Sequence, residues 1–272
     1  MTDAVGTTRT GYVTSGGERL YFEVTGQGSP LVLCHGLGGN HASWFQQVPA
    51  FAPTHRVITW DQRGFGNSTR STGVFGPASA VADLVAILDE LSVERAHVLG
   101  QSMGGWTALG TAIEHPERLT SLVLTDTPAG VRSPEIDVAL RDAARAASAG
   151  WASDGTGAHP ALSDRFTTEH PEAAFLYREL SSFGNKPDDK EMFERMGATH
   201  VMPEELADLH LPVLLVVGEV DRLCPPAAVE ALRGLIAGAQ LQVVAGAGHS
   251  PYFETPEAFN RAVLDFLGRV DA

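Results

Sequence analysis

The chain has 272 residues, of which 43% are hydrophobic and 19% charged, so it can bury a sizeable core. Its net charge of −14 argues against a nucleic-acid partner and against docking on an anionic membrane, because both need clustered Lys and Arg. The two cysteines, Cys34 and Cys224, lack metal-ligand spacing. No apolar signal core opens the chain, and no run approaches the roughly 18 apolar residues of a membrane span, so we expect a cytoplasmic protein.

Short apolar runs that alternate with segments of helical period predict seven strands. The inner runs are continuously apolar, as in strands buried on both faces, and the alternation predicts a mostly parallel sheet with helices on both faces. The predicted strands are Leu20–Val24, Leu31–Cys34, Arg56–Trp60, Ala96–Gly100, Ser121–Thr125, Val213–Gly218 and Leu241–Val244.

One long segment, from about Pro128 to His210, contains no convincing strand. It is rich in Ala, Glu and Arg, with helical patterns near Ile136–Ala149, Pro171–Phe183 and Lys190–Met196. The sequence therefore predicts a core domain formed by residues 1–127 and 211–272, with residues 128–210 inserted as a helical cap above the sheet.

The stretch AHVLGQSMGGW, residues 96–106, ends an apolar run with Gly-X-Ser-X-Gly and then begins a helical pattern. Glycine is favoured where the backbone must turn sharply, so this pattern predicts a strained turn that presents Ser102. Serine is a poor nucleophile unless a base lies within hydrogen-bond reach and a third group orients that base.

The base and the orienting acid are expected at the carboxyl ends of later strands, which gather around one crevice in a parallel sheet. His249 follows the last predicted strand in a loop of small residues, and we interpret it as the base. Asp221 is the favoured acid; Asp126, which follows the preceding strand, is the alternative, and Glu219 is a weaker third candidate.

Backbone N–H groups are the expected donors to the oxyanion that forms during attack. One is that of Met103, directly after the nucleophile at the start of a helix, where the helix dipole also favours negative charge. The second is that of Leu37, in the Gly-rich loop after the strand Leu31–Cys34.

The order Ser102, Asp221, His249 resembles that of the α/β-hydrolase family, and His35-Gly36 resembles its oxyanion-loop motif. A further stretch, Asp61–Ser68 (DQRGFGNS), is similar to the family signature Asp-x-Arg-Gly-x-Gly-x-Ser, which is structural in the family. Asp61 and Arg63 are therefore left out of the catalytic set.

The resemblance spans Leu20–Thr125 and Val213–Val270 and implies a fold and a function. The implied fold is α/β: a mostly parallel, eight-stranded twisted sheet flanked by helices, with a helical lid inserted after the sixth strand. The implied function is that of a serine hydrolase without metal or organic cofactor, which cleaves a small or medium, mainly apolar carboxylic ester or lactone through an acyl-enzyme.

Three other functions stay open. A C–C bond hydrolase of vinylogous diketones from aromatic ring breakdown is one, although Gln101 and Ser250 stand where that subgroup has Asn and Trp. The others are a β-ketoadipate enol-lactone hydrolase and a receptor of this family that binds a hydrophobic ligand with little turnover. The partner is in each case a small molecule, and a homodimer is compatible with the sequence.

Candidate substrate contacts are Gly36, Trp106, Asp126, Trp151 and Tyr252.

Overall fold

An eight-stranded sheet lies at the centre of the computed structural model, which describes residues 7–150 and 159–272, except for the side chains of residues 147–150. The strand order across the sheet is β1-β2-β4-β3-β5-β6-β7-β8. β1 and β2 are antiparallel to their neighbours, and all pairs from β4 onward are parallel, which confirms the predicted mostly parallel sheet. The strands are β1 Arg9–Ser15, β2 Glu18–Thr25, β3 Ser29–Cys34, β4 His55–Trp60, β5 Ala96–Gln101, β6 Leu119–Thr125, β7 Val213–Gly218 and β8 Gln240–Val244.

The position of each strand in the sheet explains whether its sequence predicted it. Every residue of β5 and β7 is buried, and both strands were predicted from their apolar runs. β1 was not predicted, because it is an edge strand that pairs only with β2 and has no buried residue. Its polar sequence, RTGYVTS, carries little hydrophobic signal.

Helices cover both faces of the sheet. The buried side chains of α2, α3 and α8 belong to one apolar cluster, and those of α1 and α10 belong to another. Among the described residues, none of the helices is long and apolar enough to cross a membrane. The helices are α1 Val48–Phe51, α2 Pro77–Glu90, α3 Gly104–Glu114, α4 Pro134–Gly150, α5 Asp164–Glu169, α6 Pro171–Ser182, α7 Asp189–Ala198, α8 Pro226–Leu235, α9 Pro251–Glu254 and α10 Pro256–Val270.

The chain between β6 and β7 contains α4 to α7 and adds no strand to the sheet in its described part. A small apolar cluster joins this segment to the core, with Met192 and Met196 of α7 packed among Phe65, Phe75 and Met103. The helical character of the segment matches its sequence pattern, whereas its division from the core as a cap domain of residues 128–210 stays a prediction.

The signature loop after β4 is held by its own polar side chains. The Asp61 carboxylate accepts hydrogen bonds from the backbone amides of His41 (2.6 Å) and Asn67 (2.8 Å). The Arg63 guanidinium binds both carboxylate oxygens of Asp83 on α2, each at 2.7 Å. These buried contacts fix the loop that follows β4, the strand next to β3, and support a structural role for Asp61 and Arg63.

Two buried histidines lie at the amino-terminal edge of the sheet, opposite the carboxyl ends of the strands. His55 is the first residue of β4, and His97 is the second residue of β5. Burial lowers the pKa of both imidazoles. Because both residues stand at the start of their strands, they lie too far from the carboxyl edge to serve a nucleophile placed there.

Candidate active site

Ser102 occupies the turn between β5 and α3, with a φ of +48°. A non-glycine residue held in this left-handed region costs about 1–3 kcal/mol of strain, which is found mainly at functional sites. The two motif glycines permit the turn: a Cβ on Gly100 would lie 2.4 Å from the Gly104 oxygen, and a Cβ on Gly104 would lie 2.1 Å from the Cys34 oxygen. The pattern Gly-X-Ser-X-Gly thus reflects the close approach of α3 to β3 and β5.

The imidazole of His249 connects the serine to a carboxylate. Its Nε2 lies 2.9 Å from Ser102 Oγ, and its Nδ1 lies 2.8 Å from Asp221 Oδ2. The other oxygen of Asp221, Oδ1, accepts hydrogen bonds from the backbone amides of Leu223 (2.8 Å) and Cys224 (3.0 Å). Because an ionised carboxylate only accepts, Nδ1 carries the imidazole proton and Nε2 is left to accept the proton of the serine hydroxyl.

Asp126 lies beneath this group, 1% exposed, and faces Asp221. Its Oδ1 accepts a hydrogen bond from the Gly218 amide (2.9 Å), and the Thr125 hydroxyl donates to its Oδ2 (2.5 Å). Burial, and then the nearby charge of Asp221, raise the pKa of Asp126 well above its usual value. The raised pKa favours the protonated form of Asp126, and the His249 ring makes its hydrogen bond to Asp221 instead.

The loop after β3 brings main-chain groups to the serine. A Cβ on Gly36 would lie 2.0 Å from Gln101 Oε1 and 3.2 Å from Ser102 Cβ, so only glycine fits there. The next residue, Leu37, lines a pocket together with Gly36 and Gln101. The amide of Met103 lies at the start of α3, where N–H groups have no acceptor within the helix. This geometry suits the two predicted oxyanion donors.

His35, which also lies at the carboxyl edge of the sheet, braces this loop. Its Nε2 accepts a hydrogen bond from the Gln62 amide (3.0 Å), so its Nδ1 donates to the Gly36 carbonyl (2.8 Å). Burial lowers the pKa of this imidazole, which keeps it neutral. Both ring nitrogens are thus engaged by the backbone that shapes the oxyanion loop.

A pocket of mixed polarity lies beside the loop after β3 and Gln101, the residue that precedes Ser102. Gly36 and Tyr252, two of the predicted substrate contacts, line it. The Tyr177 hydroxyl, from α6, lies 2.8 Å from Ser250 Oγ. Ser43 and Leu180 were not predicted, since nothing in their local sequence marks them. Together the wall contains apolar side chains and hydroxyl groups, among them Leu37, Leu180, Phe253, Ser43, Tyr177 and Tyr252.

The remaining predicted substrate contacts lie elsewhere. Trp106 packs beside the apolar cluster that joins α7 to the core, and its indole Nε1 donates to the Thr199 carbonyl (3.1 Å). Asp126 is buried next to Asp221 and does not line the pocket. Trp151 lies outside the described residues. Trp106 therefore ties the segment between β6 and β7 to the helix that follows the serine.

Gly36→Ala is expected to lower kcat by about 10²–10³-fold, because the added methyl group displaces the loop that carries the Leu37 amide, and the loss of one oxyanion donor has this size. Gly268→Ala, in α10 with nothing within 4 Å of its Cβ, is the matched control and should keep full activity. Steady-state kinetics on a p-nitrophenyl ester decide the matter; a fully active Gly36→Ala variant would contradict the assignment.

A family model described as the alpha/beta hydrolase fold matches residues 29–256. The chain is 29% identical to RutD of Azorhizobium caulinodans, provisionally named a carbamate hydrolase, over 96% of this chain and 99% of the relative. It is 32% identical to 2-hydroxymuconate semialdehyde hydrolase of Pseudomonas putida, over 96% and 94% of the two chains. The structure of a thermophilic esterase from Thermogutta terrifontis is similar, with a TM-score of 0.82, 29% identity and coverage of 97% and 100%.

Proposed function

The chain belongs to the α/β-hydrolase fold family, and we propose that it is a serine hydrolase that cleaves a small or medium carboxylic ester or lactone through an acyl-enzyme. The relatives are named as a carbamate hydrolase, a 2-hydroxymuconate semialdehyde hydrolase and an esterase, which supports a hydrolase and, through the last, an ester-acting one. The observation that carries the proposal is the continuous hydrogen-bonded path from Ser102 through His249 to Asp221.

The proposed cycle begins when His249 Nε2 takes the Ser102 proton as the hydroxyl attacks the substrate carbonyl. Asp221 holds the ring and stabilises the imidazolium that forms. The amides of Leu37 and Met103 bind the oxyanion, and each contributes on the order of 3 kcal/mol to lowering the barrier. His249 then protonates the leaving alcohol. Water, activated by the same imidazole, cleaves the acyl-enzyme and restores the serine.

The lining of the pocket supports a compact substrate. α6 contributes Tyr177 and Leu180 to the wall of the pocket, which the loop after β3 completes with Leu37. Leu37 and Phe253 supply apolar contacts for an acyl chain, and the Tyr177 and Tyr252 side chains add polar groups to the same wall. We therefore propose an acyl group that is apolar along most of its length and carries one hydrogen-bonding group.

A second candidate, hydrolysis of a carbon–carbon bond in a ring-fission product, is favoured by the 32% identity with the Pseudomonas putida relative. The same serine, histidine and oxyanion groups would serve it, because both reactions pass through attack at a carbonyl carbon. The residue after the histidine is Ser250, whose hydroxyl binds Tyr177, and this departs from the Trp of the subgroup that the sequence resembles. We therefore rank it second.

A substrate panel tests the proposal. We expect steady release of p-nitrophenol from the acetate and butyrate esters and turnover of small lactones, with kcat/KM above that for aryl carbamates and ring-fission dienones. The catalytic efficiency, rather than the yield, ranks the substrates. Higher efficiency on the dienones would favour the second candidate, and tight binding of apolar ligands without turnover would favour a receptor. Cytoplasmic location is a further proposal, tested by cell fractionation.

A further inference from the structure

A second group of chemically active side chains lies at the amino-terminal edge of the sheet, away from Ser102. It joins His55 at the start of β4, His97 near the start of β5, and Asp271 just after α10. One ligand atom from each of the three lies within 4.8 Å of the others. His55 and His97 are 5% and 1% exposed in their side chains, whereas Asp271 is 32% exposed.

The His55 ring presents an unpaired nitrogen to this cluster. The Thr54 hydroxyl donates to the Phe51 carbonyl (3.4 Å), so its oxygen accepts from His55 Nδ1 (2.8 Å). Nε2 is then unprotonated in the neutral ring and has no hydrogen-bond partner, although it is fully buried. Its lone pair faces Asp271 Oδ2 at 3.7 Å, an arrangement that a cation between them would stabilise.

The His97 ring is placed in the same way. Its Nε2 lies 3.0 Å from Asp271 Oδ1, and its Nδ1 lies 2.8 Å from the Ser121 hydroxyl. If Nε2 binds a metal ion, Nδ1–H donates to Ser121 Oγ, just as Nδ1–H of His55 donates to Thr54. Metal-binding histidines have such partners on their second nitrogen almost without exception, because the partner fixes the tautomer and the ring orientation.

We propose that His55 Nε2, His97 Nε2 and the Asp271 carboxylate form a binding site for a divalent transition metal of the zinc type. Ligand atoms about 2.0–2.1 Å from a tetrahedral zinc ion are about 3.4 Å apart. His97 Nε2 lies 3.0 Å from Asp271 Oδ1 and His55 Nε2 lies 3.7 Å from Oδ2, distances on either side of this value, and the three ligand atoms lie within 4.8 Å of one another. Two imidazoles and one carboxylate suit zinc, whereas magnesium and calcium prefer oxygen ligands alone.

The bound ion would link the end of α10 to the first residues of two strands of the sheet, β4 and β5. Asp271 is partly exposed, so the ion has a path of entry and a fourth position for water. The site is separate from the catalytic cycle, and its effect is on stability: an ion that binds only the folded chain raises Tm in proportion to the logarithm of its concentration.

The test is a zinc titration of the metal-free full chain by calorimetry at neutral pH, with melting curves at each zinc concentration. The wild type should bind one zinc ion at this site, and its Tm should rise. Asp271→Asn, a change at a partly exposed side chain, should weaken binding at least tenfold and abolish the rise in Tm, and His55→Gln should do the same.

His249→Ala is the matched control, because Asp126, Asp221 and His249 are the other described group that could hold an ion. This variant should keep the zinc binding of the wild type, and Asp271→Asn should keep the wild-type esterase rate without zinc. Absence of zinc binding, or binding that is lost in His249→Ala and unchanged in Asp271→Asn, would overturn the proposal. X-ray absorption of the zinc-loaded protein should show two imidazole ligands.

Discussion

Ser102→Ala is expected to lower kcat on p-nitrophenyl butyrate by about 10⁶-fold, the size of effect seen when the nucleophile of a serine hydrolase is removed. The physical reason is that, within residues 7–146 and 159–272, the hydroxyl hydrogen-bonded to His249 Nε2 is that of Ser102. Ser102 is placed by a left-handed backbone and lies 2.9 Å from His249 Nε2. Without that oxygen no acyl-enzyme forms, and what remains is the small contribution of the oxyanion donors and of substrate binding.

Covalent labelling measures the same assignment independently of substrate choice. A fluorophosphonate should add one equivalent to the wild type and none to Ser102→Ala, as read by intact mass. Ser43→Ala is the matched control, because Ser43 also lines the pocket but its hydroxyl accepts from the Asn40 amide rather than facing the imidazole. This control should be labelled like the wild type. A label that maps to another serine would refute the role given to Ser102.

The fold could be predicted from the sequence where burial is complete. Strands such as β5 and β7 are enclosed on both faces, so their apolar runs are unbroken and their order with the helices implies a parallel sheet. β1 was not predicted, because an edge strand makes hydrogen bonds to one neighbour and needs few apolar contacts. Its register against β2 is set by the two-residue turn Gly16-Gly17, with φ of +52° and +83°. A Gly-Gly pair is a hairpin signal, so this strand is marked in the sequence by its turn rather than by apolar residues.

The hydrogen-bonded arrangement of Ser102, Asp221 and His249 could be predicted because topology, rather than local pattern, brings these residues together, whereas their catalytic role stays a proposal. Ser102, Asp221 and His249 each follow a strand of the parallel sheet, and the carboxyl ends of those strands meet at one edge. The choice between Asp221 and Asp126 could not be made from the sequence with certainty, since both satisfy this rule. It rests on which carboxylate the imidazole faces, and that depends on loop geometry.

The substrate pocket was the least predictable part. Its walls come from α6, from the loop after β3 and from the start of α9, which no spacing rule relates. Tyr252 was anticipated because it stands close to His249 in sequence. Ser43 and Leu180 carry no local signal, and Trp106, which does stand beside the motif, is engaged by Thr199 instead. Proximity along the chain is therefore a weak guide to which side chains meet a substrate.

Asp221→Asn is expected to lower kcat by about 10⁴-fold while leaving the fold and KM close to those of the wild type. The backbone fixes how the new amide is oriented. Asp221 Oδ1 accepts from the Leu223 and Cys224 amides, so the oxygen of an asparagine stays there and its NH₂ group faces His249 Nδ1. Nδ1 must then accept, the ring proton moves to Nε2, and the imidazole can no longer accept the proton of Ser102.

Asp126→Asn is the matched variant, and it should change kcat by less than about tenfold. The raised pKa of Asp126 favours the neutral acid, which an amide of the same shape resembles. The Asn oxygen can still accept from the Gly218 amide, and the Thr125 hydroxyl must turn to accept from the new NH₂ group. The same pKa gives a stability signature. Because the folded chain binds this proton more tightly, the wild type loses stability as the pH rises from the usual value of 3.8 through the raised pKa. Asp126→Asn avoids that loss, so its Tm relative to the wild type should increase with pH.

A large loss of kcat in Asp126→Asn, with little in Asp221→Asn, would assign the orienting role to the other carboxylate.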